Sequence, residues 1–228
     1  MWSAIRTFAC MSVLAGTAWA SPYWVACEGN DYPENEGWIR NVDGPAPAQR
    51  SLSDGIMTLD GLADRQIDDW YLLERPLDAG ADETFIMQWR LRVNAINSHP
   101  LYPYDQSVAM FTDTDRGLSL VYGVHGFRNY FEDVNFTYAP HEFHSFELRS
   151  TDMLTYQLWM DGTVIHAGVF WDPAVTSSYV AWGDGVQGSA SISEWDYFRF
   201  GVVPEPTSFF TLTALSVACF GVRTRGKM

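Results

Sequence analysis

Cysteine is scarce in this chain. Of three in 228 residues, Cys10 and Cys219 fall in terminal segments that read as addresses. Cys27 is left alone in the body, which excludes an internal disulfide framework and a cysteine-rich zinc site. Lysine occurs once, as Lys227, and charged residues make up only 18% of the chain. Acids outnumber bases 28 to 14, a net charge of -14. Such a chain does not grip phosphate backbones without regard to sequence, and no nucleic-acid partner is expected. Long amphipathic helices are missing, since no run of period 3.6 exceeds about two turns. There is no Gly-x-Ser-x-Gly elbow, no phosphate-cradling glycine loop before a helix, and no histidine within local reach of Cys27. Apolar residues are plentiful at 47%, aromatics at 15%, which suits one packed domain and not a disordered chain.

The first twenty residues read as a secretory signal peptide, 1–20. Arg6 supplies the positive start, Phe8 to Ala18 the apolar stretch, and Ala18-Trp19-Ala20 the small-x-small cleavage site. At the other end, Val203-Pro204-Glu205-Pro206 precedes an apolar run from Phe209 to Val222, then Arg223, Arg225 and Lys227. Fourteen helical residues rise only about 21 Å, short of the roughly 30 Å hydrocarbon core, so the run is a poor permanent span. The basic residues behind it should stay cytoplasmic, leaving the domain outside. A Pro-Glu-Pro motif, a hydrophobic helix and a basic end, in that order, resemble the PEP-CTERM sorting signal of Gram-negative bacteria, here 204–228. The resemblance implies an exosortase-type membrane protease as partner, transient membrane insertion of the C-terminal helix, and removal of the tail near the motif. It also implies delivery to the cell surface or extracellular matrix and association with exopolysaccharide. Without both ends, the acidic count falls by Glu205 to 27, and the basic count falls by Arg6, Arg223, Arg225 and Lys227 to 10, all arginine. The mature domain, 21–203, therefore carries about -17 and repels anionic lipid and nucleic acid.

Within it the apolar pattern has period two. Phe85, Met87, Trp89, Leu91 and Val93 share one face of a strand, and Thr84, Gln88, Arg90 and Arg92 the other, with Ile86 as the exception. Leu118, Leu120, Tyr122 and Val124 repeat the pattern, as do Phe146 and Leu148 between Ser145, Glu147 and Arg149. Tyr156, Leu158 and Met160 lead to Asp161-Gly162, a turn that needs positive φ. A closing strand, Ser191 to Gly201, is expected to face Ile192, Phe198 and Phe200 inward and Trp195, Tyr197 and Arg199 outward. Many short strands separated by Gly-, Asp- and Pro-rich loops predict an all-β, antiparallel two-sheet sandwich. The segments Phe143-His-Ser-Phe-Glu-Leu-Arg, Tyr156-Gln-Leu-Trp-Met-Asp-Gly and Trp195-Asp-Tyr-Phe-Arg-Phe resemble the C-terminal half of concanavalin A-like jelly rolls, of the laminin-G-like and glucanase-like kinds.

In glucanase-like members that resemblance implies three carboxylates spaced along one strand. The acid-rich Glu28–Glu36, the trio Asp64, Asp68 and Asp69, and Asp113-Thr-Asp115 do not have that spacing, and no catalytic residue is assigned. The resemblance also implies a structural calcium, with Asp196 as one ligand and Glu28 or Asp31 reaching it from the N-terminal segment. His141-x-x-His144 has two imidazoles, but their spacing suits a helix rather than the strand that starts at His144. For sugar recognition, Gln88, Arg90 and Arg92 form one outward row, and Gln157 and Trp159 another. Aromatic rings stack on sugar C–H faces while amides and guanidinium groups bond hydroxyls. The reading is a non-enzymatic, exported protein that binds or accompanies extracellular polysaccharide. The alternatives are a glycan-active enzyme, lyase or hydrolase, on the same fold, and a purely structural matrix protein.

Overall fold

A computed structural model of the chain describes residues 23–43, 47–62, 68–75, 77, 83–97, 107–113, 115–172, 177–184 and 190–204. The expected signal segment, the apolar tail, and Ala20, Glu205, Pro206, Arg223 and Arg225 lie outside these residues. Strand β1 (Tyr23–Cys27) leads through a 3₁₀ turn (Pro33–Glu36) to β2 (Ile39–Asp43), β3 (Gln49–Ser53), β4 (Ile56–Asp60) and β5 (Asp68–Glu74). The long β6 (Glu83–Asn97) precedes β7 (Ser107–Asp113), β8 (Arg116–Gly123), β9 (Gly126–Asn129) and β10 (Val134–Thr137). Then follow β11 (His144–Ser150), β12 (Thr155–Met160), β13 (Thr163–Val169), β14 (Tyr179–Asp184) and the equally long β15 (Ala190–Pro204).

These form two antiparallel sheets, an all-β sandwich of jelly-roll type. One runs β13-β12-β11-β6-β15-β4-β3 with β1 also alongside β15, and the other runs β10-β9-β8-β7-β14-β5-β2. Alternation along β6 buries Phe85, Met87, Trp89, Leu91 and Val93, which meet Phe111, Leu120, Tyr122 and Trp182 of the facing sheet. Trp89 stacks on Phe146 at 5.6 Å between ring centres and donates its indole N–H to the Tyr122 hydroxyl at 3.0 Å. That bond satisfies two polar groups that burial would otherwise penalise. Complete burial holds the Tyr122 hydroxyl well above its usual titration range.

The Asp161-Gly162 turn has φ values of 49° and 78°, as its sequence requires. The closing strand corrects one expectation. Trp195 pairs with Leu91 and Tyr197 with Arg90, so Asp196 is an extra residue with no cross-strand partner on β6. A bulge of one residue reverses the facing of everything beyond it. Trp195, expected outward, is thus only 1% exposed and packs 5.0 Å from Trp182, while Tyr197 and Arg199 do face outward. Ile192, expected inward, is half-buried between the buried Ser191 and Ser193.

Where the sheets part at the β13 edge, the loop after β9 closes the gap. Glu132 accepts hydrogen bonds from Tyr156 Oη (3.0 Å), His166 Nε2 (2.5 Å), Asn129 Nδ2 (3.2 Å) and the Val169 amide (3.0 Å). One carboxylate therefore ties a loop of the seven-stranded sheet to two strands of the other.

Candidate functional site

The outer face of the eight-stranded sheet follows from the same alternation. Strand β6 presents Thr84, Ile86, Gln88, Arg90 and Arg92 there, β11 presents Ser145, Glu147 and Arg149, β12 presents Gln157 and Trp159, and β15 presents Tyr197 and Arg199. The two expected sugar-binding rows do not adjoin, because β11 lies between β6 and β12. In register, Glu147 sits opposite both Gln88 and Trp159, and Arg149 opposite Gln157. Strand β11 thus contributes the central residues of the face.

The contacts are polar and closely matched. Gln88 donates Nε2–H to Glu147 Oε2 at 2.5 Å, and Arg149 donates Nε–H to Glu147 Oε1. The Arg149 guanidinium carbon lies 5.2 Å from the centre of the Trp159 ring, within cation–π range. Gln88, Ser145, Glu147, Arg149, Trp159 and Tyr197 line a depression of about 290 Å³. A second, of about 780 Å³, adjoins it along the strands and is lined by Thr84, Ile86, Arg149, Thr155, Gln157 and Val203, among others. Arg149 borders both depressions, and the pair is termed the trough. Its floor mixes apolar side chains with hydroxyl, amide and charged groups, the composition of a surface that orients a polar ligand.

Three of the five expected sugar-binding residues, Gln88, Gln157 and Trp159, line this trough. Arg90 and Arg92 line neither depression. Arg90 pairs with Asp196 and Arg92 with Glu194, each at 2.5 Å, and both guanidinium groups lie over Phe143, at 4.8 and 4.6 Å. Asn94 supplies Glu194 with a further hydrogen bond at 2.8 Å. These two arginines brace β6 against β15. Glu147, Arg149 and Tyr197 are the residues that strand order adds. Their outward facing was readable, but the place of Glu147 and Arg149 between the two rows was not.

The expected calcium ligands are occupied otherwise. Strand β1 pairs with β15, Ala26 opposite Arg199, which does bring Glu28 to the closing strand. There Glu28 takes a bidentate hydrogen bond from Arg199, with Nε to Oε1 at 2.6 Å, and so holds the guanidinium pKa above its usual value. Asp196 faces Arg90. Asp31 accepts from Asn35 Nδ2 at 2.8 Å and the Tyr32 amide at 2.7 Å, and these bonds lower its pKa. Calcium needs six to eight oxygens. Two of the three carboxylates, Glu28 and Asp196, are paired with arginines, and Asp31 is held by an amide and a backbone N–H. Among the described residues no group of three His, Cys, Asp or Glu side chains gathers as metal ligands.

Among the described residues, the imidazoles of His144 and His166 are tied to carboxylates. His144 Nδ1 meets Asp161 Oδ2 at 2.7 Å and its Nε2 the Ala139 carbonyl at 3.1 Å, while His166 meets Glu132. Among the described residues, no serine hydroxyl or thiol hydrogen-bonds to either imidazole.

The outer face of the seven-stranded sheet has a different character. Val108, Val121 and Ala181 are buried there without joining the central core, alongside Trp70, Leu72 and Met110. It is a mostly apolar face, with Trp70 packed over Gly183.

No family model matches the chain, and no curated protein matches it. Among solved structures it is similar to a conserved carbohydrate esterase from the Shiga toxin-encoding bacteriophage phi24B. Identity is 12%, over 74% of this chain and 91% of that one, with a TM-score of 0.53. It is also similar to a sialidase, at 16% identity over 76% of this chain, with a TM-score of 0.50, and it spans 17% of the sialidase's length. The likeness is one of fold.

Proposed function

We propose that this is an exported, non-enzymatic bacterial protein that binds extracellular polysaccharide in the trough on its eight-stranded sheet. The observation that carries the reading is the hydrogen-bonded array of Gln88, Glu147 and Arg149 set against Trp159. A sugar chain has flat C–H faces for a ring to cover and hydroxyls that both donate and accept, and this surface offers partners for each. Carbohydrate chemistry on the esterase and sialidase that share the fold supports the reading by analogy alone.

Export rests on the sequence of the two ends. Removal of the tail by an exosortase-type protease rests on the Pro-Glu-Pro motif, which begins at Pro204, the last described residue of β15. Mass spectrometry of the native mature protein tests it, with ends near Ser21 and Val203 expected and an intact Met228 contradicting it.

A glycan array with the exported protein tests binding. Specific binding without product release is the expected result. Product release would identify a glycan-active enzyme instead, and silence on every glycan would leave a purely structural matrix protein.

A further inference from the structure

The four arginines on the outer face of the eight-stranded sheet share one arrangement. Each is matched to a single carboxylate: Arg90 to Asp196, Arg92 to Glu194, Arg149 to Glu147 and Arg199 to Glu28. Each also lies over an aromatic ring. Phe143 underlies Arg90 and Arg92, Trp159 lies 5.2 Å from Arg149, and Tyr197 lies 4.2 Å from Arg199. Each of these four positive charges is therefore matched by a negative one, while the mature domain as a whole carries 27 acids against 10 bases.

We infer that the trough takes a neutral polyhydroxylated polymer and excludes anionic ones such as uronic-acid chains. The inference rests on the polysaccharide-binding reading above and names the class of glycan. An anionic group entering the trough would meet the Glu147 carboxylate beside Arg149, inside a domain of the same sign. A hydroxyl has no such conflict. Arg149 spends its Nε–H on Glu147 and keeps further N–H donors. The Arg149 side chain is 48% exposed and Glu147 19%, so those donors face the trough while the carboxylate is half-sheltered. A neutral sugar can accept from the guanidinium and donate to the carboxylate without breaking the pair.

Affinity electrophoresis of the full-length protein tests this. The gels hold either neutral polymers (laminarin, mannan, galactan) or acidic ones (polygalacturonate, alginate), at about 50 and about 500 mM NaCl, where screening of surface charge differs widely. The expected result is retardation by at least one neutral polymer, changed less than about twofold by the salt and lost in Trp159→Ala, with none by the acidic polymers. Glu147→Gln uncovers Arg149 and is expected to gain salt-sensitive retardation by polygalacturonate. Wild-type retardation by acidic polymers that vanishes at high salt would overturn the neutral class while leaving the binding function standing. Neutral retardation unchanged in Trp159→Ala would overturn the trough as its location. No retardation by any polymer would sink the binding function itself, and this inference with it.

Discussion

Glu147 accepts the side-chain amide of Gln88 at 2.5 Å across the boundary between β11 and β6, two residues 59 positions apart in the chain. The same carboxylate takes the Arg149 guanidinium, which stacks on Trp159. Four side chains from three neighbouring strands thus hold one another in place before any ligand arrives. Binding to such a surface loses less rotamer freedom than binding to four loose side chains.

Trp159 stands on the outer face of its sheet and outside the core cluster. Trp159→Ala is expected to weaken polysaccharide binding about tenfold, or roughly 1.4 kcal/mol, with little change in melting temperature. Calorimetric titration beside a thermal melt checks both parts. A large fall in Tm with unchanged affinity would show the ring to be packing alone.

Glu132 tells the opposite story. It gathers four donors at the seam between the sheets, and two of them, Tyr156 and Val169, also line the larger depression. Glu132→Ala leaves those donors without their acceptor and is expected to cost about 2–4 kcal/mol of stability. For a domain of this size that lowers Tm by about 5–15 °C, read in a thermal melt.

Cys27 is 2% exposed, and burial pushes its thiol from 9.0 up to about 12. The thiolate, not the thiol, is the nucleophile. A maleimide at about pH 8 is therefore expected to leave the Cys27 peptide unlabelled in the folded protein and to label it after denaturation. The linkage has a definite sign. The folded state holds this proton more tightly than the unfolded state, so the contribution to stability is full below pH 9.0 and is lost as pH rises toward about 12. Tyr71, raised from 10.0 to about 12 mainly by burial, adds to the same alkaline loss. Urea melts between neutral and strongly alkaline pH should show stability falling across that window.

Arg90 and Arg199 hold two of the three carboxylates expected to bind calcium, Asp196 and Glu28. Chelation by EDTA is accordingly expected to leave Tm unchanged, whereas Arg199→Gln, which strips Glu28 of its bidentate partner, should lower it. A fall in Tm on chelation, reversed by added calcium, would show that a cation does hold the fold together.

Much of this architecture was readable before the structure. The run Phe85 to Val93 alternates between chemically distinct faces, so its inward residues could be named, and Asp161-Gly162 marks its own turn. Trp195 was misread because a bulge at Asp196 leaves no mark in local composition. It shows only in register, where β15 meets β6. The site divides in the same way. Gln88, Gln157 and Trp159 could be nominated from outward facing alone. The diversion of Arg90 to Asp196 and Arg92 to Glu194, partners 106 and 102 positions away, depends on which strands pair. So does the arrival of Glu147 and Arg149 between the two rows.

The most direct measurement is hydroxyl-radical footprinting of the protein with and without a bound neutral polysaccharide. Protection of Trp159 and Tyr197, with Trp70 and Tyr179 on the opposite sheet unchanged, is the predicted result. Protection of Trp70 and Tyr179 instead, with Trp159 still oxidised at its free rate, would contradict the assignment of the binding face.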